Sequence, residues 1–114
     1  MDELRDALRE FARERDWEQF HTPKNLSMAL AVEVAELLEH FQWLESSESL
    51  ELDAEKIVKV QEEIGDVLIC LVRLSDRLGI DPLVAAREKL EQNKKKYPVS
   101  IVRGSAKKYH EYGM

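Results

Sequence analysis

Glycine and proline are scarce in this 114-residue chain, four and three respectively, so breaks in the backbone are few and the stretches between them favour helix. Cysteine occurs once, as Cys70, which excludes an internal disulfide. No apolar run approaches the roughly 20 residues that a bilayer-spanning helix needs; the longest is VLICLV, Val67 to Val72. The charged start MDELRDALREF has no apolar stretch of the kind a signal peptide requires. The expected location is therefore cytoplasmic, with no membrane partner. Basic charge is also in short supply, 17 Lys and Arg against 23 Asp and Glu for a net charge of −6. That balance argues against unaided binding to a nucleic-acid polymer or an anionic membrane. An anionic ligand would need a cation to bring it in.

What is present is helical period. Leu4, Leu8 and Phe11 recur at the spacing of one helix face, and the pattern fades near Asp16. After the turn-like HTPKN, with Asn25 as a candidate cap, a second helix carries Leu30, Val34, Leu37, Leu38, Phe41 and Leu44 on one face. The polar stretch Glu45 to Asp53 reads as a loop. A long third helix follows, from Ile57 through Val60, Ile64, Val67, Leu71 and Leu74 to Leu78, ending at Gly79. Asp81 and Pro82 suit the N-cap and first position of a fourth helix that runs to Pro98. The fold class is an all-α four-helix bundle over residues 1–98, with a partly ordered tail over 99–114. Six consecutive apolar residues in the third helix occupy all sides of its axis at about 100° per residue. Such a helix calls for cover all round, which a second copy of the chain can complete.

Two acidic pairs stand beside these apolar faces. Glu33 and Glu36 lie one turn apart in the second helix, and Glu63 and Asp66 repeat that spacing in the third. Glu33 lies about 60° from the centre of its apolar stripe, whereas Glu39 lies opposite it and reads as ordinary surface. If the two helices pack antiparallel, four carboxylates converge between them, and their repulsion demands a cation. Oxygen ligands without Cys or His at matching positions select magnesium, manganese or calcium over zinc. Each pair taken alone is also a common surface pattern. Asn93 on the apolar face of the fourth helix is either a structural hydrogen-bonder or a ligand contact. Lys94 to Lys96 is the ordinary basic end of a helix, although Lys96 and Tyr97 share the face of Asn93. Trp17, Phe20, Phe41 and Trp43 suit a core or a subunit contact more readily than a base-stacking pocket. His21 reads most simply as a loop residue.

Taken together, DWEQFH, the E-x-x-E and E-x-x-D pairs in VEVAELLEHFQW and EEIGDVLICLV, and NKKKYP resemble the MazG-like all-α nucleoside triphosphate pyrophosphohydrolases. The resemblance runs from about Phe11 to Pro98 and is nearest the branch that cleaves dCTP. It implies hydrolysis between the α and β phosphates, releasing a nucleoside monophosphate and pyrophosphate, with magnesium or manganese required. It implies Glu33, Glu36, Glu63 and Asp66 as the metal-holding catalytic residues. Trp17, His21 and Trp43 would line the nucleobase pocket, and Asn93, Lys96 and Tyr97 would face the sugar and phosphates. Relatives form dimers and tetramers, and a homotetramer is the expectation here. One position departs from the branch, whose members can carry Tyr where Cys70 stands; a smaller residue there would loosen base choice, so dUTP or a broad set of triphosphates is an alternative substrate. A reading of another class, a non-catalytic helical interaction module, leaves the acidic pairs on the surface.

Overall fold

The structure, a computed structural model, describes residues 1–106. Chain contacts divide it into two compact units, Met1–Ile80 and a second that begins at Asp81. The first holds α1 (Asp2–Glu14), a 3₁₀ turn (Glu18–Phe20), α2 (Pro23–Glu39), the one-turn α3 (Ser46–Ser49) and α4 (Ala54–Arg77). The second holds α5 (Pro82–Lys96) and the short α6 (Val99–Val102). No strand occurs among the described residues, so the all-α expectation is met.

The helix ends follow from local chemistry. Thr22 caps α2, not Asn25 as expected: the Thr22 hydroxyl accepts from the Asn25 N–H at 3.2 Å. Pro23 explains the difference, because it holds the preceding residue extended (Thr22 φ −73°, ψ 154°) and itself supplies the first helical φ. Asn25 instead donates from Nδ2 to the Phe20 carbonyl at 3.0 Å, tying α2 to the 3₁₀ turn. Asp81 caps α5 as expected, accepting from the N–H groups of Leu83 and Val84. The periodic stripe of α2 overruns the helix, which stops at Glu39 and passes through turns at Phe41 and Leu44. No Gly or Pro marks that stop. The loop from Glu45 to Asp53 contains α3, whose Glu48 side chain accepts the Glu45 N–H at 2.8 Å. α6 falls within the expected tail, of which residues 107–114 lie outside the described residues.

α1 and α4 end in the same way. Asp16 takes a left-handed φ of 54°, which lets Trp17 N–H reach back to the Ala12 carbonyl at 2.9 Å and Asp16 N–H to that of Arg13 at 3.1 Å. This is a Schellman closure with Asp where Gly is usual. It carries the Trp17 ring onto Phe11, edge to face at 5.7 Å between centroids. At the end of α4, Gly79 (φ 69°) does the same for Ile80, whose N–H reaches the Ser75 carbonyl at 2.8 Å.

In the first unit α4 packs along α2 and also against α1. The apolar side chains buried in the described chain are Ala12, Leu26, Val60 and Val72. Val34, Leu38, Ile64, Leu68 and Leu71 stay 39–56% exposed. Within the first unit these apolar positions on the two longest helices are left uncovered.

Candidate active site

Two residue series of identical spacing build the site. Along α2 run Leu26, Ala29, Glu33 and Glu36, and along α4 run Glu63, Asp66, Cys70 and Arg73, each stepping by 3, 4 and 3 residues on one helix face. The helices run antiparallel, so the acidic end of one series meets the acidic end of the other, and the remainder meet at a cavity. Ten residues of helix rise about 15 Å, which sets the span from the outermost carboxylate to Arg73.

At the acidic end, carboxylate oxygens of Glu33, Glu36 and Glu63 all lie within 4.8 Å of one another. Glu33 Oε2 and Glu63 Oε2 are buried and have no hydrogen-bond partner among the described residues. Asp66 stands outside this tight group, but its charge acts on both Glu33 and Glu63. Burial first, then the neighbouring acidic groups, raise the Glu63 carboxyl above its ordinary value and push Glu33 up to about 7. Buried, unpartnered, mutually repelling oxygens are what a hard divalent cation would satisfy, so the donor set fits such an ion.

The proton on Glu33 yields a prediction. A carboxyl whose value is raised by folding contributes stability that is complete below the unfolded value and lost as pH rises through about 7. A cation bound there would take the place of that proton. Calorimetric titration with magnesium should therefore give tighter binding at about pH 8 than at about pH 6, with more protons released at the lower pH. Equal affinity at both would count against this cluster as the metal site.

At the other end lies a cavity of about 500 Å³, within the size range of small-ligand pockets. Phe11, Trp17, Phe20 and His21 form one wall. Leu8 of α1, Asn25, Leu26 and Ala29 of α2, and Ile69, Cys70 and Arg73 of α4 form the rest. Cys70 connects the two ends: it lines the cavity, and its thiol is pushed up by burial and then by the charges of Glu33 and Asp66. His21 sits edge-on to Trp17 at 6.3 Å and accepts at Nδ1 from Arg73 Nε at 3.1 Å. Arg73 is 5% exposed and also reaches Asp76 at 3.5 Å; Asp76 in turn accepts two bonds from Arg9 of α1, at 2.7 and 2.5 Å.

The model of the MazG-like family matches residues 28–112, a span that includes both acidic pairs. The chain belongs to the MazG-like family. This MazG-like chain is also similar to dCTP pyrophosphatase 1 of Rattus norvegicus, 45% identical over 111 residues, which are 96% of this chain and 65% of that protein. For the Homo sapiens protein of the same name the identity is 42% over 113 residues, 97% and 66% of the two chains. It thus spans about two-thirds of the length of these curated relatives. Among solved structures, a pyrophosphatase from Archaeoglobus fulgidus DSM 4304 superposes with a TM-score of 0.81 at 49% identity, over 86% of this chain and 92% of that one.

Of the residues expected at a MazG-like site, Glu33, Glu36 and Glu63 come together with Asp66 beside them, and Trp17 and His21 line the adjoining cavity. Trp43 does not line it; it is 87% exposed in the turn region after α2. Asn93, Lys96 and Tyr97 belong to the second unit. There Asn93 is half-buried, Lys96 is the last residue of α5, and Tyr97 caps that helix with its N–H on the Asn93 carbonyl at 2.8 Å. Sequence reasoning missed Asn25 as a cavity residue, and above all Arg73. A signal for Arg73 existed: it follows the apolar run of α4 directly, one turn beyond Cys70 on the face that carries Glu63 and Asp66.

Proposed function

We propose that this chain is a divalent-metal-dependent nucleoside triphosphate pyrophosphohydrolase that cleaves dCTP, or a modified dCTP, to dCMP and pyrophosphate. The observation that carries the reading is the facing of the acidic edges of α2 and α4 directly beside an aromatic-walled cavity on the same two helices. The names of its dCTP-pyrophosphatase relatives support the substrate. Removing dCTP or its modified forms from the nucleotide pool, in the cytoplasm, is part of the same proposal.

Glu33, Glu36, Glu63 and Asp66 would hold magnesium, or manganese in its place. That ion, when bound, neutralises phosphate charge and so turns an acidic surface into one that accepts a triphosphate. One of the four carboxylates takes the proton of the attacking water, and the bond between the α phosphorus and the bridging oxygen breaks to release pyrophosphate. Trp17 and its aromatic neighbours stack on the base and exclude water from its faces. Trp43, Asn93, Lys96 and Tyr97 are proposed as further contacts to base, sugar and phosphates on the family resemblance alone.

A nucleotide panel assayed for pyrophosphate tests the reading. The expected result is metal-dependent release with the highest kcat/KM for dCTP or 5-methyl-dCTP. Release of inorganic phosphate alone, or no turnover of any triphosphate, would remove it. A broader preference, with dUTP or several bases cleaved alike, is the second reading, favoured by the small Cys70 in the cavity wall.

The working unit is proposed to be a homo-oligomer, a tetramer in preference to a dimer. Its support is the exposure of Val34, Leu38, Ile64 and Leu68 along the two longest helices. Light scattering at micromolar concentration is expected to return a multiple of the 13.3 kDa chain mass. A stable monomer would contradict it.

A further inference from the structure

We propose that Arg73 is a positioning residue that fixes His21 with Nδ1 as acceptor and Nε2–H as donor, so that the cavity takes a base by an edge carrying a hydrogen-bond acceptor. This rests on the reading of the cavity as the base site.

The geometry runs in one chain. Arg9 of α1 holds Asp76 by two bonds, Asp76 faces Arg73 Nη1 at 3.5 Å, and Arg73 Nε donates to His21 Nδ1 at 3.1 Å. A guanidinium cannot turn its N–H into an acceptor or lose its proton under ordinary conditions. His21 Nδ1 therefore always meets a donor, and the only ring nitrogen that can carry hydrogen is Nε2. Protonating Nδ1 would set N–H against N–H. It would also add a positive charge beside Arg73 and Arg77 of α4, opposed by Glu18 in the turn that precedes His21. Burial, Arg73 and Arg77 hold the His21 imidazole below its usual value, in keeping with that geometry.

The pair with Asp76 accounts for only one end of the guanidinium. Arg73 is 5% exposed, and its Nη2 is buried with no hydrogen-bond partner among the described residues. An apolar side chain of similar volume would leave no such orphan. Besides facing Asp76, the guanidinium does what no apolar side chain can, which is to dictate the His21 tautomer. Stacking on Trp17 orients any flat ring, whereas a fixed donor at the ring's edge discriminates among bases. The matching edge presents a carbonyl oxygen or an unprotonated ring nitrogen, as cytosine does at O2 and N3.

Two measurements test this. In the wild-type protein, long-range proton–nitrogen NMR of the imidazoles, assigned by the signal lost in His21→Gln, is expected to show His21 neutral with hydrogen on Nε2 at about pH 6.5. Hydrogen on Nδ1, or an even mixture, would overturn the proposal without recourse to any Arg73 variant. The second compares Arg73→Met with wild type through KM for dCTP against pH. At about pH 8 the variant's KM is expected to rise on the order of fivefold, the worth of one hydrogen bond, with kcat changed less than about twofold. Towards about pH 5.5 the ratio of the two KM values should fall, because a freed His21 becomes an imidazolium that donates from both nitrogens. A ratio constant with pH, or an unchanged KM, would overturn the proposal. Failure of the underlying reading looks different: His21→Ala would then leave KM unaffected, whatever the tautomer.

Discussion

Replacing Glu63 with Gln is expected to lower pyrophosphate release by more than about a hundredfold, the loss that follows even from disturbing residues behind a metal ligand. The same substitution should raise the thermal stability of the metal-free protein. In that state Glu63 Oε2 is buried without a partner, and its carboxyl is raised by burial and by Glu36 and Asp66. Removing one of several repelling charges relieves a cost. The thermal shift that magnesium gives the wild type should shrink or vanish in the variant, since a ligand stabilises only the state that binds it. Differential scanning fluorimetry with and without magnesium, beside the activity assay, checks all three. An inactive variant that is also less stable without metal would point to a structural role, and an active one would refute the metal assignment.

Asp76→Ala is expected to be the most destabilising surface-adjacent change in the first unit. Asp76 joins Arg9 of α1 to Arg73 of α4, and its own carboxyl lies below the usual range because Arg9 donates to it. Truncation leaves the 5%-exposed Arg73 guanidinium without a counter-charge. Breaking a buried pair from one side costs about 3 kcal/mol, and for a domain of this size that lowers Tm by on the order of 12–24 °C. Arg9 is half exposed, so Arg9→Ala should cost much less. Circular-dichroism melts of the two variants decide the matter: equal Tm values would show that Arg73 is not the charge that Asp76 compensates. The carboxylate also has a pH signature. Its lowered value means that its contribution is present above the unfolded carboxylate value and is lost as pH falls towards the folded one.

Periodicity served well where the helix interior was concerned. The extent of α4 and the start of α5 at Asp81 and Pro82 followed from spacing and cap chemistry, because those signals are local and each residue carries its own. The end of α2 did not, since its apolar stripe continues through Phe41 and Leu44 into turns that no Gly or Pro announces. The turn at Asp16 was likewise hidden. Its left-handed φ is carried by a residue that usually avoids that region, and this turn brings Trp17 over Phe11 to wall the cavity. Arg73 was overlooked for a related reason. Its partners His21 and Asp76 lie 52 and 3 residues away, and only one of those separations leaves a pattern on a helix.

The sequence by itself determined that the chain is helical and that two acidic pairs at the same spacing border apolar faces, because helix period and side-chain class are properties of neighbouring residues. Only the tertiary structure decided that those pairs confront one another, and that the helix beyond them opens into a cavity whose histidine is held by a buried arginine. Register between helices far apart in the chain is set by packing and by long-range hydrogen bonds, which no local spacing encodes.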